Sequence, residues 1–222
     1  MVKYRLLIPP SGLGDNCGID SVNYVLTGAT TGSGLNDASG TFFNNGTTTV
    51  TYTITDNSGN TTNCNFTVII NDNVNPTISC PLPAVVGNDP GVCTAVVNGL
   101  TPFGLGDNCG IDSVNYVLTG ATTGSGLNDA SGNTFNLGVT TVTYTITDQS
   151  GNTATCNFTV TVNDTEAPTI TCPGNTTASN DATLCSAVVN GLAPSGLGDN
   201  CAIDSVNYCL LYTSPSPRDR SL

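Results

Sequence analysis

Histidine and tryptophan are absent from the 222 residues, and there is a single methionine. Without histidine, a Ser-His-Asp or Cys-His relay has no imidazole to act as its base. Glutamate occurs once, at Glu166, and the other acids are aspartates in turn-like segments. That is a poor source of the two opposed carboxylates a glycosidase needs. The chain therefore reads as non-catalytic. Lysine and arginine are confined to Lys3, Arg5, Arg218 and Arg220; between Leu6 and Pro217 there is no cationic side chain. The net charge is −12. Such a surface repels phosphate backbones and anionic lipids, which excludes nucleic-acid and membrane-surface binding as expected roles. It has no internal ion pairs and is suited to attract divalent cations. No apolar run approaches the roughly eighteen residues of a membrane span, so no membrane insertion is expected. Met1 to Ile8 has two positive charges but too short an apolar core for a secretory signal. If the protein is secreted, its signal is not in this sequence.

What is abundant is cysteine, glycine, threonine and repetition. Ten cysteines with no Cys-x-x-Cys pair and no histidine argue for disulfides over zinc, and so for an oxidising, extracellular setting. The stretch from Gly12 to Gly40 returns letter for letter from Gly104 to Gly132 and begins again at Gly196. Its Asp-Asn-Cys triplets end at Cys17, Cys109 and Cys201, a period of 92 residues. A period of that size is a whole small domain rather than a solenoid unit. The expected organisation is a partial unit at 1–75, a complete unit at 76–167, a partial unit at 168–208 and a tail at 209–222. Residues 1–8 break the period, since they do not resemble Cys93 to Leu100, and are expected to be non-native. Cys209 stands where the period puts valine, and Cys209 to Asp219 reads as translated sequencing adapter.

Within the complete unit, Pro76 to Pro81 opens a strand with Ile78, Cys80 and Leu82 facing one way. Asn88-Asp89-Pro90-Gly91 is a turn signal, and Cys93 to Val97 is the next strand. Val114, Tyr116 and Leu118 alternate with polar or outward positions. Gly120 to Gly132 is a long connection or a weak edge strand. From Thr140 to Asp148, Val142, Tyr144 and Ile146 face in while Thr141, Thr143, Thr145 and Thr147 face out. Asp148 to Asn152 is a hairpin turn, and Cys156, Phe158, Val160 and Val162 face in from the last strand. Nothing shows a 3.6-residue period, and threonine and valine favour strands. The fold class is all-β: a two-sheet sandwich of six or seven short strands.

Five motifs follow in order: Pro76 to Pro81; Asp107-Asn108-Cys109; Phe135-x-x-Gly138; Val142-Thr143-Tyr144 through Asp148-x-x-Gly151-Asn152; and Cys156-x-Phe158-x-Val160. Together they resemble the hyalin repeat (HYR) family, an immunoglobulin-like module of extracellular proteins. The first unit matches through Phe43, Gly46, Tyr52, Asp56, Gly59, Asn60 and Cys64. The third matches through Cys172-Pro173, Cys185 and Asp199-Asn200-Cys201. The resemblance implies tandem sandwiches, a role in adhesion or as spacers, and no catalytic set. Four cysteines per unit allow three pairings. In an immunoglobulin-like sandwich the first and last strands can lie parallel and adjacent, which favours Cys80–Cys156 and leaves Cys93–Cys109. By the same logic Cys185–Cys201 is expected in the third unit, with Cys17, Cys64 and Cys172 lacking partners.

The chain is thus expected to be a secreted or cell-surface spacer or adhesive stalk, with neighbouring repeats as its first partners. A cell-surface protein or a glycan is a further candidate partner. No cofactor is expected. The alternative is a calcium- or glycan-binding module, alone or appended to a secreted enzyme. Asp72, Asp107, Asp112, Asp148, Asp164 and Glu166 lie in loops, linkers or strand ends, where clustered oxygens could hold a hard cation. The plainer reading is that Asp148-x-x-Gly-Asn is turn chemistry and that Asp107-Asn108 caps a loop, and no spacing matches an EF-hand or a nonapeptide calcium repeat.

Overall fold

A computed structural model describes residues 10–209. The expected non-native residues 1–8, and the adapter-like segment beyond Cys209, lie outside the described residues. Among the described residues every regular element is a strand. The first unit contributes β1 (Ile19–Gly28), β2 (Gly32–Leu35), β3 (Gly46–Asp56) and β4 (Thr61–Ile70). The central unit contributes β5 (Thr77–Ser79), β6 (Ala84–Gly87), β7 (Thr94–Val97), β8 (Phe103–Gly106), β9 (Ile111–Gly120), β10 (Gly124–Leu127), β11 (Asn133–Asn136), β12 (Gly138–Asp148) and β13 (Thr153–Asn163). The third contributes only β14 (Thr169–Thr171) and β15 (Ser195–Gly198).

The sheets follow the period. The first unit forms a four-stranded sheet in the order β2-β1-β3-β4. The central unit forms the same arrangement with one more strand, β10-β9-β12-β13-β6, together with the small pairs β11-β7 and β5-β8. All pairings with a stated register are antiparallel except β13 with β6, which is parallel. This is an immunoglobulin-like β-sandwich plan. By contact density the chain forms two compact units that cut across the strands. One holds residues up to Ser79 with Phe103–Val114 and Thr145–Thr155. The other holds Cys80–Pro102, Asn115–Tyr144 and the chain from Cys156 onward.

In the first compact unit the core is Val22, Leu26, Ala38, Val50, Tyr52 and Val68, with Phe43 and Phe66 partly buried against it. In the second, Ala95, Val97, Leu100, Tyr116, Leu118, Ala130, Phe135, Val142, Tyr144, Phe158, Val160 and Val162 are buried. The source is the two-residue rhythm. Along β12 Thr140, Val142, Tyr144, Ile146 and Asp148 are buried, while the threonines between them stay partly exposed. Each full burial of a valine or isoleucine there contributes about 1.5–3 kcal/mol. The Tyr144 ring stacks on Phe158 at 6.3 Å and meets the Tyr116 edge at 6.1 Å. Tyr52 repeats both contacts with Phe66 and Tyr24 in the first unit.

Two local expectations change, at Leu82 and around Phe135, and between them the choice left open for Gly120 to Gly132 is decided. Leu82 does not face the core; it is 87% exposed. Pro81 and Pro83 flank it and cannot donate to a ladder, so β5 stops at Ser79. Gly120 to Gly132 does contain an edge strand, β10, paired with β9. Its Gly126 lies against the Tyr116 ring: a Cβ there would come within 2.5 Å of the ring Cζ, so a side chain is excluded. The segment around Phe135 is itself a strand, β11, which brings Phe135 opposite Ala95 on β7.

Candidate functional site

Asp148 closes β12 and opens the hairpin into β13. Its Oδ1 accepts from the amides of Ser150 and Asn152, both at 2.8 Å, and its Oδ2 accepts from Asn152 Nδ2 at 2.8 Å. This is the Asp-x-x-Gly-Asn turn acting as its own cap. The side chain is 2% exposed. Burial works against its charged form, but the Asn152 and Ser150 donors outweigh it and hold the carboxyl below the usual range. Asp56, Ser58 and Asn60 build the same turn one period earlier.

Two further acids converge on Asp148. Asp107, from the Asp-Asn-Cys loop, accepts at Oδ2 from the amides of Cys109 (2.7 Å) and Gly110 (3.0 Å). Asp72, from the segment after β4, accepts at Oδ1 from the Val74 amide (3.1 Å) and from Asn108 Nδ2 (3.2 Å). Asn152 Nδ2 also donates to the Asp72 carbonyl at 3.1 Å. One carboxylate oxygen of each acid lies within 4.8 Å of the others. The second oxygens, Asp72 Oδ2 and Asp107 Oδ1, are buried with no hydrogen-bond partner. The Val74 amide leads the interactions that hold Asp72 below its usual range, ahead of the opposing effect of burial. Burial, then Asp72, then the charges of Asp107 and Asp148, push the Cys109 thiol up. With no lysine, arginine or histidine between Leu6 and Pro217, no protein cation from that stretch can balance the trio.

The remaining expected ligands are dispersed. Asp112 is exposed on β9, and Glu166 Oε1 accepts from the Gly91 amide at 2.8 Å. Asp164 gathers with Asp199 and Cys201. Asp164 and Asp199 stand one period beyond Asp72 and Asp107, so this is the same arrangement begun again. Asp199 also repeats the loop geometry, accepting from the amides of Cys201 and Ala202, both at 2.9 Å. Sequence reasoning passed over Asp199, although the period alone would have named it.

The cysteines are arranged by strand register. Val160 on β13 pairs in parallel with Ala84 on β6, a separation of 76 residues. Cys80 and Cys156 are separated by the same 76, and the structure joins them with Cα atoms 5.7 Å apart. The expected Cys93–Cys109 and Cys185–Cys201 bridges are not formed. Cys93 is bonded instead to Cys201, Cα atoms 4.9 Å apart, while Cys109 and Cys185 are thiols. The reason lies in β13. Cys109 follows the loop tied to the turn at the start of β13, through the Gln149 amide donating to the Gly110 carbonyl at 3.1 Å. Cys93 follows the turn tied to its finish, where the Asn88 amide donates to the Asn163 carbonyl at 2.9 Å. An eleven-residue strand spans about 35 Å, and a disulfide needs Cα atoms within roughly 7 Å. The third unit's loop meets Cys93 instead, with Asn200 Nδ2 donating to the Val92 carbonyl at 3.0 Å. Cys17, Cys64 and Cys172 are also thiols.

The HYR domain family profile matches residues 19–70 and 71–162. A protein named Hyalin from Strongylocentrotus purpuratus is 36% identical over 164 residues, covering 71% of this chain and 13% of that protein. Another Hyalin, from Lytechinus variegatus, is 34% identical over 138 residues, covering 60% of this chain and 24% of that protein. The chain thus spans less than a quarter of the length of either relative. Asp72, Asp107 and Asp148 all fall inside the second matched segment, 71–162. Twice-matched motifs, the shared sheet order and the recurrent turn and ring contacts agree: this chain belongs to the HYR domain family, as a tandem array of its modules.

Proposed function

We propose that this chain is part of a non-catalytic, extracellular stalk whose modules act as rigid spacers, displaying an adhesive end or forming a cell-contact surface themselves. The modules repeat as 1–75, 76–167 and 168–208, and each takes its neighbour as first partner. The observation that carries the reading is duplication of the scaffold. Ala38 N donates to Tyr52 Oη at 2.9 Å, and Ala130 N donates to Tyr144 Oη at 2.8 Å. The amides of Thr30 and Thr122 donate to Thr48 and Thr140 Oγ1, both at 3.0 Å. Interactions that fix shape recur at the period, as a spacer requires. A cell-surface protein or glycan is the outer partner this reading anticipates. Small-angle scattering on chains of increasing copy number tests it. The maximum dimension should rise in proportion to copy number; growth as its square root is the behaviour of a flexible chain and refutes the spacer.

A second reading, a calcium-binding module, has its own support in the orphaned buried oxygens of Asp72 and Asp107 beside Asp148. Calcium takes about six to eight oxygen ligands, and two of these buried oxygens accept no hydrogen bond. Titration calorimetry of the full chain with calcium decides. Heat of binding, a raised melting temperature and loss of both in Asp107→Asn support it. At a hundredfold excess over Kd the gain is about 2.7 kcal/mol. The absence of both heat and a melting shift at millimolar calcium refutes it.

A further inference from the structure

The bond between Cys93 and Cys201 crosses from one copy of the repeat to the next. Cys93 lies inside the matched segment 71–162, and Cys201 lies beyond it, in the Asp-Asn-Cys motif of the following copy. Cys201 is thus the period equivalent of Cys109, and Cys185 is the equivalent of Cys93. One copy therefore supplies the Cys93 type of sulfur, and the next supplies the motif sulfur.

We propose that this is the rule of the array: the motif cysteine of every module is a clasp that bonds the Cys93-type cysteine of the module before it. Cys109 and Cys185 are then the open halves of two further clasps. By the period, the partner of Cys109 falls at position 1, where this sequence has methionine in a segment that departs from the repeat. The partner of Cys185 is the motif cysteine of a copy following the third.

Three observations support the extension from one bond to a series. The loop is prepared alike in both copies. Asp107 Oδ2 accepts from the Cys109 and Gly110 amides as Asp199 Oδ2 does from Cys201 and Ala202. The neighbouring asparagine faces the sulfur in both: Asn108 Nδ2 lies 3.1 Å from Cys109 Sγ, and Asn200 Nδ2 lies 3.4 Å from Cys201 Sγ. The Cys93 side is repeated too. Val96 N donates to Asp89 Oδ2 at 2.9 Å, and Val188 N donates to Asp181 Oδ2 at 3.2 Å. Asn88 and Asn180 Nδ2 each donate to the carbonyl four residues on, at 3.0 and 2.7 Å. Both halves of the clasp are thus built whether or not the partner sulfur is at hand.

Closing each clasp joins two thiols into one S–S bond and releases two protons and two electrons. The electrons pass to the disulfide of a thiol–disulfide oxidoreductase, whose own S–S bond breaks to give a dithiol. Spacer function and clasp chemistry are separable: the same bonds are compatible with a bent or a straight array.

The test is peptide mapping of the full chain. It carries Cys17→Ser because the sequences around Cys17 and Cys109 are identical. The chain is oxidised, unfolded without reductant in a maleimide, digested with pepsin and read by mass. Expected are a Cys93–Cys201 pair and maleimide on Cys109 and Cys185. A Cys93–Cys109 pair, or a Cys185–Cys201 pair, overturns the proposal. A second chain carries one more copy of residues 71–162 after Val162. In that added copy Cys93→Ser removes the donor and Asp112→Glu marks the motif by mass. Cys93 of the original copy should now bond the marked motif. Its bonding to Cys109 or to Cys201, or maleimide on the marked cysteine, overturns the neighbour rule. Both readouts are bonds, so failure of the scattering test leaves them untouched.

Discussion

Replacing Tyr144 by phenylalanine removes one oxygen from the centre of the second compact unit and leaves the ring. That oxygen accepts from the Ala130 amide at 2.8 Å and donates to the Leu100 carbonyl at 2.8 Å. Both residues are buried, at 0% and 1% exposure. Burial raises the phenol's pKa, so the hydroxyl stays protonated and remains a donor throughout the working range. In Tyr144→Phe an amide and a carbonyl are left without a partner. Each such orphan costs about 1–3 kcal/mol. With partial relaxation of the two loops, the loss should be about 2–4 kcal/mol, while the stacking on Phe158 is kept. The assay is native-state hydrogen exchange together with denaturant unfolding. The Ala130 amide should exchange at least about thirtyfold faster, the factor that 2 kcal/mol implies. Tyr116→Phe is the control. Among the described residues its oxygen accepts from Asn133 Nδ2 alone, at 2.9 Å, and the change should cost under about 1 kcal/mol. If Tyr144→Phe unfolds like the wild type and Ala130 exchanges at its old rate, the hydroxyl does not organise these loops and the reasoning is wrong.

Gly126→Ala should destabilise by about 1–3 kcal/mol, because its Cβ would meet the Tyr116 ring and the edge strand would have to move. An unchanged melting temperature would show that β10 does not lie flat on that ring. Acid should unfold the chain through its turn carboxylates. Asp148, Asp72 and Asp56 all have lowered pKa values, so the stability they contribute is complete above the ordinary aspartate value near 3.8. It is lost as the pH falls through their lower folded values. Urea midpoints measured in chelator from pH 6 to 2 should fall below pH 4, and Asp148→Asn should flatten that limb. A midpoint independent of pH would contradict the assignment.

Strands with one face in and one face out were legible from letters alone. Along β12 and β13 the side-chain identities state the burial, because a two-residue rhythm has one physical meaning. Leu82 misled because its apolar character competes with the prolines beside it, and the prolines set the backbone. Strand β11 was hidden because its one buried anchor, Phe135, sits among polar neighbours. The acids of the candidate site were recognisable as oxygen ligands, but their grouping was not. Asp112 and Asp107 are close in sequence, yet only Asp107 reaches the trio, because Asp112 is already on β9 and exposed. The partner of Cys93 was least legible. Identical motifs recur every 92 residues, and a period cannot say whether a bond stays within a copy or reaches the next.

The parallel register of β6 and β13 has a mechanical consequence. Tension drawn along the chain reaches Cys80 and crosses directly to Cys156 through one sulfur bridge. The seventy-six-residue separation between them is bypassed, so pulling lengthens only the short leaders on either side. A module stretched in this way yields little slack, because the chain between the two sulfurs is shielded from the pull.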